Sequence, residues 1–146
     1  MTEAAADVLL IEDNELDIEL TLQAFQKANL TPRIQVVSDG VQALHFLHRT
    51  GSFAKRTPDE PKLIILDLKL PLVDGQYVLR QIASDPRTSV IPLVVISSSR
   101  ESRDIYSSYK VGVNSYIVKP VNSETYINTM RSMATYWLSI NQSPEI

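Results

Sequence analysis

The chain of 146 residues contains no cysteine. A disulfide framework and a cysteine-ligated metal site are therefore impossible, and nothing in the sequence indicates an oxidising compartment. The two histidines, His45 and His48, lie three residues apart in a predicted helix and have no third ligand nearby in the sequence. We interpret them as surface residues, because a metal site needs more ligands than this pair supplies.

The sequence also lacks an excess of positive charge. It has 14 basic and 17 acidic residues, a net charge of −3 and a pI near 5.3, and its basic residues are scattered along the chain. A surface that binds nucleic acid needs clustered lysine and arginine to contact phosphates. We therefore expect no nucleic-acid partner.

Long apolar runs are absent as well. No run approaches the roughly 18 residues that a membrane helix requires, and residues 1–7 carry acidic side chains where a signal peptide carries basic ones. These absences predict a cytoplasmic protein with no membrane association.

The length and the 44% hydrophobic content suit one domain with one core. We expect this domain to span residues 1–146, with its core at about 7–140 and a short tail at each end.

The sequence does contain a regular alternation of two apolar patterns. Short apolar runs that end in polar residues predict five strands, at residues 8–11, 34–37, 63–67, 92–97 and 115–118. Helical spacing of apolar residues predicts helices near residues 15–29, 41–48, 76–85, 105–109 and 123–140. Residues 51–62 are the longest connection and are predicted to be a surface loop. Because strands alternate with helices, we expect an α/β fold with a parallel sheet and helices on both faces.

Three carboxylates follow two of the predicted strands directly. Glu12 and Asp13 come after the first strand, and Asp67 closes the third. In open α/β sheets ligands bind beyond the carboxyl ends of the strands, so these side chains are predicted to meet at one edge. Their mutual repulsion favours a hard divalent cation with oxygen ligands, which indicates Mg²⁺. Each acid alone is also typical of a helix N-terminus or a strand-end turn, but together they predict a phosphoryl-transfer or phosphate-sensing site.

With these residues in place, the sequence resembles the receiver domains of bacterial two-component response regulators. The resemblance covers nearly the whole chain, and each motif alone is weak, whereas the ordered set is specific. The motifs are Glu12-Asp13, Asp67-x-x-x-Pro71-x-x-Asp74-Gly75, Ser97, and Tyr116-x-x-Lys119-Pro120. The resemblance implies a flavodoxin-like (βα)5 fold, a single domain whose five-stranded parallel sheet has the order 2-1-3-4-5.

The same resemblance assigns the chemistry of the site. Asp67 would accept a phosphoryl group from a histidine kinase, so the chain would catalyse only its own phosphorylation and dephosphorylation and would not be an enzyme in the usual sense. Mg²⁺, for which Mn²⁺ can substitute, would be held at Asp67, directly by Asp13 and through water by Glu12. The backbone carbonyl of Lys69 would complete the protein ligands. Lys119 would place a second fixed cation on the phosphoryl group.

Ser97 and Tyr116 are the residues that the resemblance assigns to a switch. The Ser97 hydroxyl would close onto a phosphoryl oxygen, and Tyr116 would turn inward into the vacated space. A plainer interpretation stays open for both residues. Ser97 belongs to the sequence Ser97-Ser98-Ser99, which is typical of a capping loop, and Tyr116 is typical of an ordinary half-buried aromatic residue.

The turn at Lys119 and Pro120 has an expected geometry of its own. The family implies a cis peptide bond between these two residues, which would aim the lysine back at Asp67. Proline permits this geometry because the cis form costs only about 0.5–1 kcal/mol at such a bond.

Other classes of protein share this architecture. A flavin- or nucleotide-binding protein needs backbone that cradles phosphate after the first strand, whereas the acidic residues at 12–15 would repel it and no Gly-x-x-x-x-Gly-Lys-[Ser/Thr] motif is present. A phosphatase of the haloacid dehalogenase type usually carries a second aspartate two residues after the first, where Lys69 stands. The alternative that stays open is a binding or scaffold module of receiver fold that acts without phosphorylation.

The predicted last helix carries more apolar surface than one core contact needs. It is either simply well packed or the seam of a homodimer, because surplus apolar surface on a small domain usually meets a partner. We predict the dimer. Its candidate interface residues are Tyr126, Met130, Met133 and Trp137. We expect Tyr136 and the Tyr126 side of the helix to lie nearer its exposed edge than Ala134.

Local features narrow the resemblance to small stand-alone regulators that are paired with phytochrome-type histidine kinases. They include the long loop before the third strand and the sequence Tyr136-Trp137-Leu138. A phytochrome-type sensor kinase is therefore the expected partner. Residues 121–146 leave room for the last helix and a short tail, so we expect no attached output domain. The signal would then pass to a downstream protein whose identity the sequence does not specify.

Overall fold

Five short strands form the centre of the structure, and each is one of the apolar runs described above. The computed structural model describes residues 5–145. The strands are β1 (Val8–Ile11), β2 (Ile34–Val37), β3 (Leu63–Asp67), β4 (Leu93–Ser97) and β5 (Ser115–Val118). Their bounds agree with the predicted strands to within one residue.

Each strand is followed by a helix. The helices are α1 (Glu15–Lys27), α2 (Gly40–His48), α3 (Gly75–Ser84), α4 (Ser102–Val111) and α5 (Ser123–Thr135), with a 3-10 turn at Gly51–Phe53 and a π-helical segment at Tyr136–Ile140. Four of the five helices begin at a side chain that accepts a hydrogen bond from a backbone N–H in the first turn. These capping residues are Asn14, Asp39, Asp74 and Asn122. Within residues 5–145, no helix combines the length and the apolar character needed to cross a bilayer.

The sheet is parallel throughout and has the strand order β2-β1-β3-β4-β5. This order confirms the expected flavodoxin-like arrangement. Every residue of β1, β3 and β4 is buried, as expected for strands that are covered on both faces. Ile11 at the end of β1 pairs with Leu66 of β3. The next residues along the chain, Glu12 and Asp67, are thereby brought to the same edge of the sheet.

Two apolar cores cover the two faces of the sheet. Successive residues of a strand point to opposite faces, so Leu9 and Ile11 belong to one core while Val8 and Leu10 belong to the other. Helices α2 and α3 close the first core, and helices α1 and α5 close the second. The sheet is therefore packed from both sides, which gives the site at its edge a rigid support.

The burial of α5 overturns part of the predicted dimer interface. Tyr126, Met130 and Met133 are 2%, 1% and 6% exposed and belong to the core that α1 and α5 share. The prediction that these three residues form an interface is therefore wrong, as is the expectation that the Tyr126 side lies near the exposed edge. The wide apolar surface has another cause: α5 packs against both the sheet and α1, so it buries more than one stripe.

The residues that follow α5 are more accessible. Tyr136 is 45% exposed whereas Ala134 is fully buried, which confirms the expected position of Tyr136 nearer the exposed edge. The half-buried Trp137 packs against the core beneath it, and its ring lies edge-on to Tyr136 with 4.9 Å between the ring centres. An interface role for Trp137 stays a prediction.

Gly75 begins α3 where the chain turns back against the end of β3. A Cβ atom at this position would lie 2.5 Å from Cα of Leu68, with the carbonyl oxygen of Leu68 closer still. A larger residue would therefore have to displace the turn. The preceding Asp74 caps α3 by accepting a hydrogen bond from the N–H of Gln76 at 3.3 Å. Asp74 and Gly75 thus fix the course of the loop that follows Asp67.

A buried arginine anchors the long connection between α2 and β3. Arg56 donates from Nε to the carbonyl of Phe46 and from Nη1 to the carbonyl of Asp59, both at 2.8 Å. The carboxylate of Glu60 lies 3.4 Å from Nη2, and the Phe46 ring centre lies 4.3 Å from the guanidinium carbon. The predicted surface loop is therefore tied to the domain at its centre.

Candidate functional site

Asp67, the last residue of β3, stands at the centre of the site. Its side chain is nearly buried, and both carboxylate oxygens have partners. Oδ1 accepts a hydrogen bond from the backbone N–H of Lys69 at 2.9 Å, and Oδ2 accepts one from Nζ of Lys119 at 2.8 Å. The structure therefore holds the carboxylate in one orientation at the carboxyl edge of the sheet, where the sequence placed it.

Glu12 and Asp13 lie beside Asp67, as predicted. One carboxylate oxygen from each of the three residues lies within 4.8 Å of the others. Glu12 is fully buried, whereas Asp13 is exposed to solvent. Oε1 of Glu12 lies 2.9 Å from Nζ of Lys119, which gives it an ion-pair contact with the lysine. A cluster of three carboxylates whose oxygens converge in this way fits a hard divalent cation such as Mg²⁺ or Mn²⁺.

The buried position of Glu12 changes its ionisation. Burial, which disfavours the charged form, raises its pKa from 4.5 to about 8, and the neighbouring Asp67 carboxyl acts in the same direction. The positive charge of Lys119 offsets this shift only in part. Glu12 is therefore protonated more readily than an ordinary carboxyl when no cation is present, and a proton there competes with a cation for this oxygen cluster.

Lys119 bridges three of the acids in the site. Its Nζ lies 2.7 Å from Oδ2 of Asp17, 2.8 Å from Oδ2 of Asp67 and 2.9 Å from Oε1 of Glu12. Burial alone lowers the pKa of Lys119, but the hydrogen bonds with Asp17 and Asp67 outweigh this effect and raise it. The lysine is therefore a permanent positive charge at this edge of the sheet.

The peptide bond that follows Lys119 is trans. No cis bond occurs within residues 5–145, so the expected cis geometry at Pro120 is wrong. The lysine reaches Asp67 without it, because the Lys119 N–H is already fixed by the carbonyl of Ser97 at 2.8 Å, next to β4. With that contact made, the turn keeps the trans form that X–Pro bonds favour by about 0.5–1 kcal/mol.

Asp17 is the residue of the site that sequence reasoning missed. It lies in the first turn of α1, where an acid is explained by the helix dipole alone. No further signal in the sequence identifies it, because Asp13 lies before the helix and shares no helical spacing with Asp17. In the structure the Asp17 carboxylate accepts a hydrogen bond from Nζ of Lys119 at 2.7 Å.

Ser97 and Tyr116 are both connected to the loop after β4. Ser97 is 1% exposed, and its Oγ accepts a hydrogen bond from the N–H of Ser99 at 3.1 Å. The half-buried Tyr116 donates its hydroxyl to the carbonyl of the same Ser99, also at 3.1 Å. The two predicted switch residues are thus linked through one residue. Their switch role stays a prediction, as does the metal contact of the Lys69 carbonyl.

A flavodoxin-like sheet that presents an aspartate, two further acids and a lysine at its carboxyl edge defines the receiver class of signalling domain. The family described as response regulator receiver domain matches residues 8–131 of this chain. The chain belongs to that family.

Relatives in this family include proteins of cyanobacteria and of a methanogen. Response regulator Rcp1 of Synechocystis sp. is 32% identical over 131 residues, which cover 90% of this chain and 88% of Rcp1. A protein of Methanothrix harundinacea, named "Probable methanogenesis regulatory protein FilR2", is 38% identical over 139 residues and covers 94% of this chain and 86% of its own length.

Solved structures show the same likeness. The Mn²⁺-bound form of Rcp1 has a TM-score of 0.90 at 30% identity, and the phosphorylated cyanobacterial phytochrome response regulator RcpA has a TM-score of 0.89 at 37% identity. Each match covers 97% of this chain and 100% of the other. The fold and the family are therefore established together.

Proposed function

We propose that this chain is a response regulator that accepts a phosphoryl group on Asp67 from a sensor histidine kinase, in a Mg²⁺-dependent reaction. The observation that carries the proposal is the environment of Asp67, a nearly buried carboxylate with Nζ of Lys119 at 2.8 Å and two acids within reach of a shared cation. A carboxylate in this setting can act as a nucleophile toward phosphorus and form an acyl phosphate.

The transfer makes one bond and breaks another. An oxygen of Asp67 bonds to phosphorus while the bond from phosphorus to the kinase histidine nitrogen breaks, and that nitrogen keeps the electron pair. The backbone N–H of Lys69 holds one Asp67 oxygen, which restricts the carboxylate to a productive orientation. Lys119 supplies a fixed positive charge where the phosphoryl oxygens arrive.

The site also has groups that would hold a divalent cation. The groups that would hold it are Glu12, Asp13, Asp67 and the backbone carbonyl of Lys69. When bound, Mg²⁺ neutralises charge on the phosphoryl oxygens. The exposed position of Asp13 leaves it free to ligate from the solvent side, whereas at Glu12 the raised pKa makes a proton compete with the cation.

The loop after β4 is proposed to report the phosphorylated state. Ser97 Oγ now accepts a hydrogen bond from the N–H of Ser99. If the hydroxyl moves toward Asp67 to donate to a phosphoryl oxygen, the movement of Oγ would lengthen its bond with the Ser99 N–H. Because the Tyr116 hydroxyl depends on the same Ser99 for its hydrogen bond, a change in the loop would move the tyrosine as well.

Labelling with acetyl phosphate tests the proposal on purified protein. Intact-mass spectrometry should detect one added phosphoryl group with Mg²⁺, none in EDTA and none on Asp67→Asn. Asp74→Asn is the matched control, because it makes the same chemical change at an exposed residue that an asparagine can replace as a helix cap. If the wild type binds Mg²⁺ and takes no label, the rival function is favoured, a receiver-fold module that binds its partner without phosphorylation.

A phytochrome-type histidine kinase is the proposed phosphoryl donor in the cell. The support is the likeness to Rcp1 and to RcpA, which is itself described as a phytochrome response regulator. Phosphoryl transfer from a purified, autophosphorylated phytochrome kinase should be faster than transfer from an unrelated histidine kinase at equal concentration. Equal or slower transfer would contradict the choice of a phytochrome-type kinase as the partner. The assignment of Asp67 as the phosphoryl acceptor would not depend on that result.

We further propose a cytoplasmic homodimer that signals through protein–protein contacts. Exposed apolar residues occur in α4 and in the segments that follow β5 and α5, and they are Tyr106, Tyr109, Val121 and Tyr136. In a two-fold interface a charge placed on this surface meets its own copy, so Tyr106→Glu should dissociate the dimer. Tyr77→Glu, at an exposed tyrosine of α3, is the control. Light scattering that finds a monomer at tens of micromolar, with and without a phosphoryl mimic, would end this part of the proposal.

A further inference from the structure

Asp17 lies outside the cluster of acids that fits a cation, yet it contacts the same lysine. Its Oδ2 is 2.7 Å from Nζ of Lys119, and the Asp17 side chain is only 18% exposed. We propose that Asp17 is a positioning residue, which holds Lys119 in place while a phosphoryl group is transferred to Asp67. This inference rests on the proposed function and adds to it a residue that acts through the lysine.

The first turn of α1 is arranged to direct this carboxylate into the site. The N–H of Asp17 donates to Oδ1 of Asn14 at 3.0 Å, and its carbonyl accepts from the Thr21 hydroxyl at 2.8 Å. In a capping box the acid at this position would bond back to the N–H of the capping residue. Here the N–H of Asn14 donates to Oε2 of Glu12 at 3.3 Å instead. The carboxylate of Asp17 is therefore available for Lys119.

The three carboxylates around Lys119 differ in whether they also bind the cation or take part in the reaction. Glu12 and Asp67 both belong to the cation cluster, and Asp67 loses its negative charge when it becomes an acyl phosphate. Asp17 is not part of that cluster. Among the three it is therefore the one that can keep its bond to Lys119 before, during and after the transfer.

A lysine needs such an anchor more than a stiffer side chain would. Its ammonium is a point charge on a flexible four-carbon stem, and a misplacement of about 1 Å near the reacting atoms can lower a rate on the order of a hundredfold. With Asp17 and Asp67 on two sides, Nζ is confined between α1 and the end of β3. The phosphoryl oxygens then meet a charge that is already in position.

Phosphorylation rates test this role. With acetyl phosphate at saturating Mg²⁺, Asp17→Ala should be labelled about tenfold more slowly than the wild type, and Asp17→Asn, which keeps an oxygen acceptor, should lie between them. Glu15→Gln is the matched control, because Glu15 is an exposed acid in the same helical turn. It should be labelled at the wild-type rate.

Double-mutant cycles separate positioning from a general structural effect. In a Lys119→Met background, Asp17→Ala should produce no further loss of labelling rate. In urea unfolding with EDTA, where no transfer occurs, the same pair should show a favourable coupling between Asp17 and Lys119. Zero coupling, or an Asp17→Ala rate equal to that of Glu15→Gln while the wild type takes label, would overturn the role of Asp17 alone. Absence of label on the wild type would instead remove the proposed function, and this role with it.

Discussion

Glu12→Gln is expected to stabilise the cation-free protein even though it alters the site. Glu12 is fully buried, and burial together with Asp67 raises its pKa from 4.5 to about 8. In the unfolded chain the carboxyl regains its ordinary pKa. Between the two values the folded protein binds a proton that the unfolded chain has released, so the free energy of unfolding falls as pH rises from 4.5 to about 8.

The size of the effect follows from the distance between each pH and the unfolded pKa. At pH 7 the solution is about 2.5 pH units above the unfolded pKa of 4.5. Each unit lowers the free energy of unfolding by about 1.4 kcal/mol, so the penalty at pH 7 is about 3 kcal/mol. At pH 5 the penalty is below about 1 kcal/mol. Glutamine keeps the shape and removes the charge, so Glu12→Gln should raise the free energy of unfolding by about these amounts.

Urea unfolding in EDTA at pH 5 and pH 7, followed by circular dichroism, measures both values. Lys119 does not change the comparison between pH 5 and pH 7. Because its pKa is raised in the folded protein, its contribution to the free energy of unfolding is fully present at every pH below 10.5. Glu15→Gln, at an exposed position, should change stability by less than about 0.5 kcal/mol. Excess Mg²⁺ should shrink the gain, since the cation stabilises the wild type by binding ionised Glu12. No gain at pH 7, or a gain of equal size at both pH values, would refute this reasoning.

Asp13→Ala should weaken Mg²⁺ binding far more than Glu12→Gln in calorimetry, because Asp13 is the proposed direct ligand; equal losses would contradict the direct and water-mediated roles. In EDTA the same Asp13→Ala variant should melt at a higher temperature, since one repelling charge is gone, and an unchanged or lower melting temperature would argue against repulsion. Gly75→Ala should cost about 1–3 kcal/mol in urea unfolding, because its Cβ would meet the backbone of Leu68; a neutral result would show that the turn can move. Met130→Ala should cost about 2–5 kcal/mol, as a core residue does, and the loss should not depend on protein concentration, whereas a concentration-dependent loss would return Met130 to an interface.

The positions of the strand ends were predictable from sequence. A buried strand must be apolar on both faces, so the change from Leu66 to Asp67 and from Ile11 to Glu12 marks the edge directly. The order of the five strands was not predictable from the apolar pattern, because that pattern does not distinguish one parallel arrangement from another. That order came from the resemblance of the ordered motifs to the receiver family, and the structure confirms it.

Contacts between distant elements were not predictable in the same way. Asp17 and Lys119 lie 102 residues apart in sequence. Nothing in the first turn of α1 distinguishes an acid that serves the helix dipole from one that contacts the lysine after β5. The breadth of the apolar surface on α5 likewise could not show whether a second helix of the same chain or a second chain covers it. Here α1 covers it, which places Met130 in the core.

Direct mapping of the modified residue tests the central claim most closely. After incubation with a phosphoryl donor and Mg²⁺, borohydride reduction converts an aspartyl phosphate to homoserine, which tandem mass spectrometry locates in the sequence. We predict homoserine at position 67 alone, formed only when Mg²⁺ is present during labelling. Homoserine at another aspartate, or equal conversion at position 67 in EDTA, would contradict the account of Asp67 as the cation-dependent acceptor.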